Sequence, residues 1–343
     1  MNLKELSDVL GLSPTTVSRA LNGYPEVSPM TRTRVIEAAE KHGYVPNSMA
    51  KRLATGRAMA IGHVVPLSEH DMINPIFADF IAGAGEVYSD AGYSMILRVA
   101  SLGEGEEEIY RAMAAAHSVD GIIVHAPRAD DRRIKLLNRL GMRFIVHGRS
   151  NSEHDYSWLD INNRRAFARA TSYLIELGHR KIALLNGIES MQFARRRRLG
   201  YEAALAEAGI ELDPALLFSA DMTEPYGYHT TRQLLRNGKG PTALLASSLI
   251  TALGISRAIA DCGFIMGRDI SVITHDDATS FLPNYGDVPL FTSTKSSVRA
   301  AGKRMAEMLI DLIEGRSRAP VTELWEAEMI LGSSTGPAPE SPV

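Results

Sequence analysis

Residues 6–23 read LSDVLGLSPTTVSRALNG, and this stretch decides the N-terminal fold. It divides into one helix, a sharp turn at Gly11 and a second short helix. Leu6, Val9, Leu10, Leu12, Val17, Ala20 and Leu21 supply a compact apolar side, while Thr15, Thr16, Ser18 and Arg19 face outward. Upstream, Asn2 and Glu5 have capping-box spacing, so the first helix starts there. Ser13 caps the second helix, and Pro14 fits its first turn, where a missing N–H costs nothing. Asn22-Gly23 stops it. Ser28-Pro29 repeats the cap-and-proline start for a third helix, with Val35, Ile36 and Ala39 as its buried stripe and Gly43 at its end.

Three short helices around one core make residues 1–46 a helix-turn-helix DNA-binding domain, whose second helix enters the major groove at its N-terminal end. Pro14, Thr15 and Arg19 are best placed for base edges, and Arg19 can fork onto a guanine. Ser13, Thr16, Ser18 and Asn22 suit phosphate oxygens, which set register without carrying a sequence code. Residues 47–58 follow. Asn47 can cap a two-turn helix that Gly56 ends, too short to persist alone. It is expected to fold on DNA, with Ala50 and Leu53 on one face and Leu53 as a minor-groove wedge; a flexible linker is the alternative.

The net charge of −3 over 343 residues becomes informative once divided. Residues 1–58 hold eight Lys or Arg and five acids, a balance of +3 that leaves −6 for the remainder. A basic head on an acidic body is expected where only one small domain touches phosphate. The single cysteine, Cys262, rules out an intrachain disulfide framework and fits a reducing cytoplasm. The start of the chain lacks the continuous apolar region of a signal peptide, and no run approaches the length of a membrane span. A cytoplasmic protein is the expectation.

From Ala58 the pattern changes to apolar strands alternating with amphipathic helices: AIGHVVP, YSMILRVA, VDGIIVHAP and RFIVHGR, then KIALLNG, LLFSAD, TALLASS and DISVITHDD. That order predicts two α/β lobes, each with a parallel sheet. Ligands of such sheets bind beyond the C-terminal strand ends, which here face each other across a cleft. The fold class is therefore a small all-α head on a two-lobed body like that of periplasmic binding proteins. Residues 59–336 form the effector-binding and dimerisation domain. Lobe one is about 59–159 plus 288–320, lobe two about 160–287 plus 321–336, and 337–343 a Pro- and Ser-rich disordered tail.

TTVSRALNG, TRTRVIEAAEKHGYVPN, RLATG, LGHRKIALL, LGYEAAL and ISVI…DD resemble, in order and spacing, the LacI/GalR family of transcriptional regulators, from Met1 to about Ser334. Within it, NLKELSDVLGLSPTTVSRALNGYPEV, IVHGRS and Ser247-Ser248 are most similar to bacterial repressors of α-glucoside utilisation. The resemblance implies a homodimer on a pseudo-palindromic operator and a small effector between the lobes. It puts Thr15 and Arg19 at base-reading positions and Leu53 at the wedge. Pro14 stands where a larger polar or aromatic residue is common, so its contact would be apolar. It also implies a cleft lined by Ile76, Phe77, His125, Arg149, Phe193, Arg197, Met222, Ser248 and Asp276. Arg197 and Asp276 would each fork onto sugar hydroxyls. Three departures vacate space and polar contacts: Gly148 for a usual Asp, Ser248-Leu249 for Asn-Asp, and Met222 for a frequent aromatic. They favour a disaccharide.

Other features are read as ordinary. Arg195–Arg198 supplies one cleft ligand and three solvated arginines. His275-Asp276-Asp277 has no further His or Cys at metal-ligand spacing. Ser247, His275 and Asp276 lack a nucleophile elbow, and no nucleotide-cofactor motif is present. The expectation is a repressor without cofactor, metal or catalytic residues, in which effector binding moves the lobes, separates the hinge helices and lowers operator affinity. A corepressor of opposite sign stays open. A transport-system sugar-binding protein and a sugar-processing enzyme are the alternatives from other classes.

Overall fold

The computed structural model describes residues 1–21, 24–44, 56–66, 75–100, 105–236 and 240–340. They form two units, Met1–Met59 and Ala60–Val343. In the first, α1 (Leu3–Leu10), α2 (Pro14–Leu21) and α3 (Pro29–Lys41) enclose Leu6, Leu10, Val17, Ala20, Val27, Val35 and Ala39. The caps form as the sequence implies. Glu5 N donates to Asn2 Oδ1 at 3.0 Å, Thr16 N to Ser13 Oγ at 3.1 Å and Thr31 N to Ser28 Oγ at 3.2 Å. Gly11 turns the chain at φ 63°, a left-handed conformation that favours glycine.

Two expected core residues are instead on the surface: Val9 is 56% exposed and Ile36 is 41% exposed. The inward stripes are the i,i+4 pairs Leu6–Leu10 and Val35–Ala39, and each outlier lies one residue off its stripe, about 100° around the helix. Asn22, Asn47, Ala50, Leu53 and most of the expected hinge helix lie outside the described residues.

The second unit holds two sheets. Strands β1 (Ala60–Pro66), β2 (Ser94–Ala100), β3 (Gly121–His125), β4 (Arg143–His147), β5 (Ser157–Ile161) and β11 (Thr322–Trp325) build lobe one in the order β11-β5-β4-β3-β1-β2. Strands β6 (Ile182–Asn186), β7 (Leu217–Ser219), β8 (Ala243–Ala246), β9 (Ser271–Asp276), β10 (Thr292–Lys295) and β12 (Glu328–Ile330) build lobe two in the order β12-β10-β9-β8-β6-β7. All pairings are parallel except β12 on β10. Each lobe repeats the doubly wound 2-1-3-4-5 arrangement, whose ligand crevice opens between its first and third strands. Apolar runs such as GIIV and IALLN suit strands covered on both faces.

Helices α4 (Pro75–Asp90), α5 (Glu106–Ala115), α6 (Arg132–Arg139) and α11 (Val298–Glu314) flank the first sheet. Helices α7 (Asn163–Glu176), α8 (Gln192–Glu207), α9 (Glu224–Leu235) and α10 (Leu249–Asp261) flank the second. Three helix pairs meet at glycines so closely that no side chain fits. A Cβ on Gly302 would lie 2.2 Å from Phe80 O, one on Gly200 2.1 Å from Arg164 O, and one on Gly254 2.0 Å from Glu224 O. Gly254→Ala must therefore push α9 and α10 apart, and we expect a loss of about 1–3 kcal/mol in denaturant unfolding. Gly85→Ala, whose Cβ would meet only Met95 Cε at 3.8 Å, is the control. It should be neutral or slightly stabilising; equal losses in both variants would refute the close-contact account.

The chain crosses between lobes three times, after β5, after β10 and after β11. The last two crossings correct the expected lobe boundaries. Thr292–Lys295 belongs to lobe two, because it pairs with β9, and Thr322–Trp325 belongs to lobe one, because it pairs with β5. Four-residue strands at sheet margins leave too little periodicity to be read locally. The segment ahead of residue 341 is also held more firmly than expected. Ser334 Oγ accepts from Thr292 N at 2.9 Å, Gly336 N donates to Ser271 Oγ at 3.0 Å, and Ala338 N donates to Leu177 O at 2.8 Å.

Candidate functional site

The head presents one uniform face. Pro14, Thr15 and Arg19 on α2 are exposed, and Thr15 and Arg19, four residues apart, share a side of the helix. Ser13 and Thr16 hydroxyls lie 2.8 Å apart, so the cap ties together two groups assigned to phosphate. Behind this face, Arg34 Nη2 donates to Leu10 O at 2.5 Å and Arg32 Nη2 donates to Tyr24 O at 2.7 Å, which locks α3 against its neighbours. The α2 surface is thus a rigid platform of short polar side chains and one long forked donor, the shape and chemistry of a major-groove reader.

In the body, the two sets of strand ends approach each other across a cleft. A small cavity of about 10 Å³ there is lined by Ile76 of lobe one and by Ser248, Leu249, Ile250, Asp277, Thr279 and Leu282 of lobe two. Ser248 caps α10, accepting from Thr251 N at 3.2 Å, so its position follows from the helix start. The lobes also touch at both rims. Gln192 N donates to Pro127 O at 2.9 Å and Gln192 Nε2 to Asn151 Oδ1 at 2.8 Å. Elsewhere Ser280 N and Oγ both donate to Asp79.

Arg197 is 5% exposed at the heart of lobe two. Its Nε donates to Asn163 Oδ1 at 2.7 Å and its Nη1 to Ser247 O at 2.5 Å, with Phe167 and Phe193 each 5.0 Å from the guanidinium. Burial pulls its pKa down to about 10, which leaves it charged at neutral pH. Two of its five N–H donors are thus committed to the protein, which leaves three, on Nη1 and Nη2, for a ligand. Phe193 and Met222 come together beside Gly187, where a Cβ would lie 3.2 Å from the Phe193 ring and 3.3 Å from Met222 Sδ.

The carboxylate facing this group is not the expected one. Asp276 Oδ1 accepts from Ala278 N at 2.7 Å, closing the turn in which Ala278 takes φ 51°. Asp277 lines the cavity. Burial acts to raise its pKa, but His275, Arg197 and His147 together hold it below the usual range. The sequence held a signal for this. In HDDA, leaving a strand, the first Asp is the natural acceptor for the N–H two residues on.

His125 belongs to a buried cluster that sequence reasoning missed. Its Nε2 is 3.0 Å from His63 Nδ1, and His63 Nε2 is 3.1 Å from Tyr88 Oη. His147 stands opposite His125 in the β3–β4 register, with its ring 5.9 Å away. Phe77 and Phe80 pack edge-on against His125 at 5.2 and 4.8 Å. Burial pushes His63 down to about 3 and His147 to about 4, and holds His125 well below its ordinary value, so all three are neutral at pH 7. Phe77 and His125 therefore form a neutral aromatic wall beside Ile76.

Arg149 donates from Nε to Asp160 Oδ2 at 2.7 Å and lies over Trp158 at 5.0 Å. Burial nevertheless keeps Asp160 above its ordinary pKa. The arginine run departs from expectation at two places. Arg195 is exposed, but Arg198 pairs with Glu189 at 2.9 Å and Glu202 at 2.7 Å, and Arg196 is half-buried, facing Arg149 and Asp160.

Two family models match the chain: "Bacterial regulatory proteins, lacI family" over residues 2–47 and "Periplasmic binding protein-like domain" over 171–335. The HTH-type transcriptional regulator AglR of Rhizobium meliloti is 46% identical over 99% of this chain and 96% of its own length. The chain belongs to the lacI family. Among solved structures, a transcriptional regulator CelR-cellobiose complex matches with TM-score 0.71 and 29% identity, covering 97% of this chain and 99% of that one. A lac repressor dimer bound to operator and an anti-inducer matches with TM-score 0.79 and 25% identity, covering 98% and 99%. As a lacI-family protein the chain is a transcriptional regulator with a helix-turn-helix head for DNA. No helix among its described residues is long and apolar enough to cross a membrane.

Proposed function

We propose that this chain is a cytoplasmic repressor that binds a pseudo-palindromic operator as a homodimer and is released by a small α-glucoside held between its lobes. The observation that carries the reading is the cleft itself. Both lobes contribute to it, through Ile76 on one side and Ser248 and Asp277 on the other, and it lies where doubly wound sheets take ligands. Phe77 and Phe193 offer apolar faces for sugar rings, while Arg197, Ser248 and Asp277 offer polar contacts. The CelR structure, a complex with the disaccharide cellobiose, supports the same ligand class. At about 10 Å³ the cavity has room for only one water, so the rim contacts of Gln192 and Asp79 must loosen to admit a disaccharide. That links occupancy to lobe geometry. The cleft is read as a binding site without turnover, so sugar incubated with the protein is recovered unchanged.

The test begins by selecting operators from a random duplex library and checking them for a palindrome. Fluorescence anisotropy then follows release on addition of maltose, sucrose or trehalose. An operator complex indifferent to all three sugars, with no heat in titration, would overturn the effector assignment. The proposed cleft ligands remain Ile76, Phe77, Phe193, Arg197, Met222 and Ser248, with Asp277 in the acidic role first given to Asp276. Arg197→Met removes the remaining charge-assisted donors. It should weaken the releasing sugar roughly 10–100-fold, the equivalent of about 1.5–3 kcal/mol. Operator affinity without sugar should hold; a parallel fall in both would mean that Arg197 only supports the fold.

A further inference from the structure

Among the described residues of the run Arg195–Arg198, Arg196 alone has a buried donor without a partner in the protein. Its Nε is buried and meets no hydrogen-bond acceptor. Its neighbours in the sequence have clear places: Arg195 is exposed, Arg197 is bonded to Asn163 and Ser247, and Arg198 is paired with two glutamates. On α8 of lobe two, Arg196 lies within electrostatic reach of charged groups beside β4 and β5 of lobe one. There it faces Arg149, Asp160 and Tyr156. The one carboxylate of that group already accepts from Arg149 Nε at 2.7 Å, and Tyr156 Oη is bound to Ser150, donating to its O at 3.0 Å and accepting from its N at 2.8 Å. Arg196 therefore sits beside a second positive charge, and its Nε bonds to neither Asp160 nor Tyr156. Burial and Arg149 both lower its pKa, which marks the arrangement as costly in the free protein.

A costly, unsatisfied donor in a cleft is expected where a ligand completes the bonding. Its place fits the length of the ligand. Phe77 packs on His125 at the end of β3, whereas Arg149 and Asp160 lie at β4 and β5. From β3 to β5 is two strand spacings, about 10 Å along the sheet edge. One sugar ring cannot reach both ends, but two joined rings can.

We propose that Arg196 is an effector-contacting specificity residue, whose Nε–H donates to a ring or hydroxyl oxygen on the second ring of a two-ring sugar. This rests on the sugar reading of the cleft and adds to it a second subsite at β4–β5. Arg149 and Asp160 hold that subsite in shape, and Arg196 closes it from the other lobe.

The test uses full-length Arg196→Met, with Arg195→Met as an exposed control, titrated calorimetrically with maltose, sucrose and trehalose. For whichever disaccharide binds the unsubstituted protein, Arg196→Met should raise Kd at least tenfold and Arg195→Met should leave it unchanged. Without sugar, Arg196→Met should melt no lower than the unsubstituted protein, because the lost N–H had no partner. Unchanged disaccharide affinity overturns the proposal, and so does a clearly lowered ligand-free Tm, which would make Arg196 structural. If none of the three sugars binds the unsubstituted protein, the effector reading fails and the subsite fails with it. The state of that first titration tells the two failures apart.

Discussion

Arg19→Ala is expected to cut affinity for the selected operator by roughly 30-fold to more than 10⁴-fold, while binding to a scrambled duplex changes little. Arg19 is exposed at the end of α2, on the same side as Thr15. A bidentate arginine–guanine contact is worth about 1–3 kcal/mol of discrimination, and a dimer makes it twice, which gives the range stated. Non-specific binding rests on phosphate charge and survives the loss of one cation per head. Anisotropy on the two duplexes at fixed salt separates these effects. Equal losses on both would show that Arg19 is a phosphate contact and leave base reading to Thr15 and Pro14. The charge distribution sharpens the expectation for the isolated head. Residues 1–46 contain five basic and five acidic residues, so the positive balance of the N-terminal region comes entirely from Lys51, Arg52 and Arg57. A fragment ending at residue 46 should bind any duplex weakly, because nothing long-range draws it to DNA.

The second large effect is acid lability of the body. His63 and His147 titrate near 3 and 4 when folded, and His125, His179 and His275 are also lowered, in each case mainly by burial. Unfolded, each returns to about 6.5. Between those limits the unfolded chain binds protons that the folded chain refuses, so stability is full above pH 6.5 and falls as pH drops toward 4. Each histidine contributes up to about 1.4 kcal/mol per pH unit in that window. Asp160 and Asp276 act in the opposite direction, since burial raises their folded pKa and acid then favours the folded form. With five groups against two, the denaturant midpoint of the body should fall steeply between pH 6.5 and 4.5. His147→Phe, which would place a second ring beside Phe80, should flatten the slope. A midpoint independent of pH, or a variant with the unsubstituted slope, would show that these histidines are hydrated or already protonated in the folded protein.

Much of this molecule was legible one element at a time. Asn2, Gly11, Ser13 and Ser28 act within a few residues of themselves, and each makes the cap or turn that its type and position imply. AIGHVVP is β1 to the residue, because strand composition and the Met59 and Pro66 boundaries are local matters. The two-lobe alternation also followed from periodicity, and with it the site at the strand ends. The errors share a cause. Val9 and Ile36 read as core in sequence because an apolar residue beside a stripe looks like part of it. Thr292–Lys295 and Thr322–Trp325 join the lobes opposite to those the sequence implies, because a strand of four residues does not say which sheet it will join.

The site shows the division most clearly. That a cleft exists, and that Arg197 and Ser248 lie near it, could be read from the order of strands and helices and from the family resemblance. Which carboxylate faces Arg197 could not. Asp276 and Asp277 are chemically identical, and only the turn at Ala278 decides that one closes the backbone while the other lines the cavity. His63, His125 and His147 are 62 and 22 residues apart along the chain and became one cluster only because β1, β3 and β4 are adjacent in the sheet. Arg196 looked like one of three solvated charges until α8 carried it to Asp160. Caps, turns and periodicities are set by neighbours a few residues away, so the sequence by itself determined the head, the alternation of elements and the kind of protein. Burial, pairing and charge in the cleft depend on groups brought together from opposite lobes, and those only the tertiary structure decided.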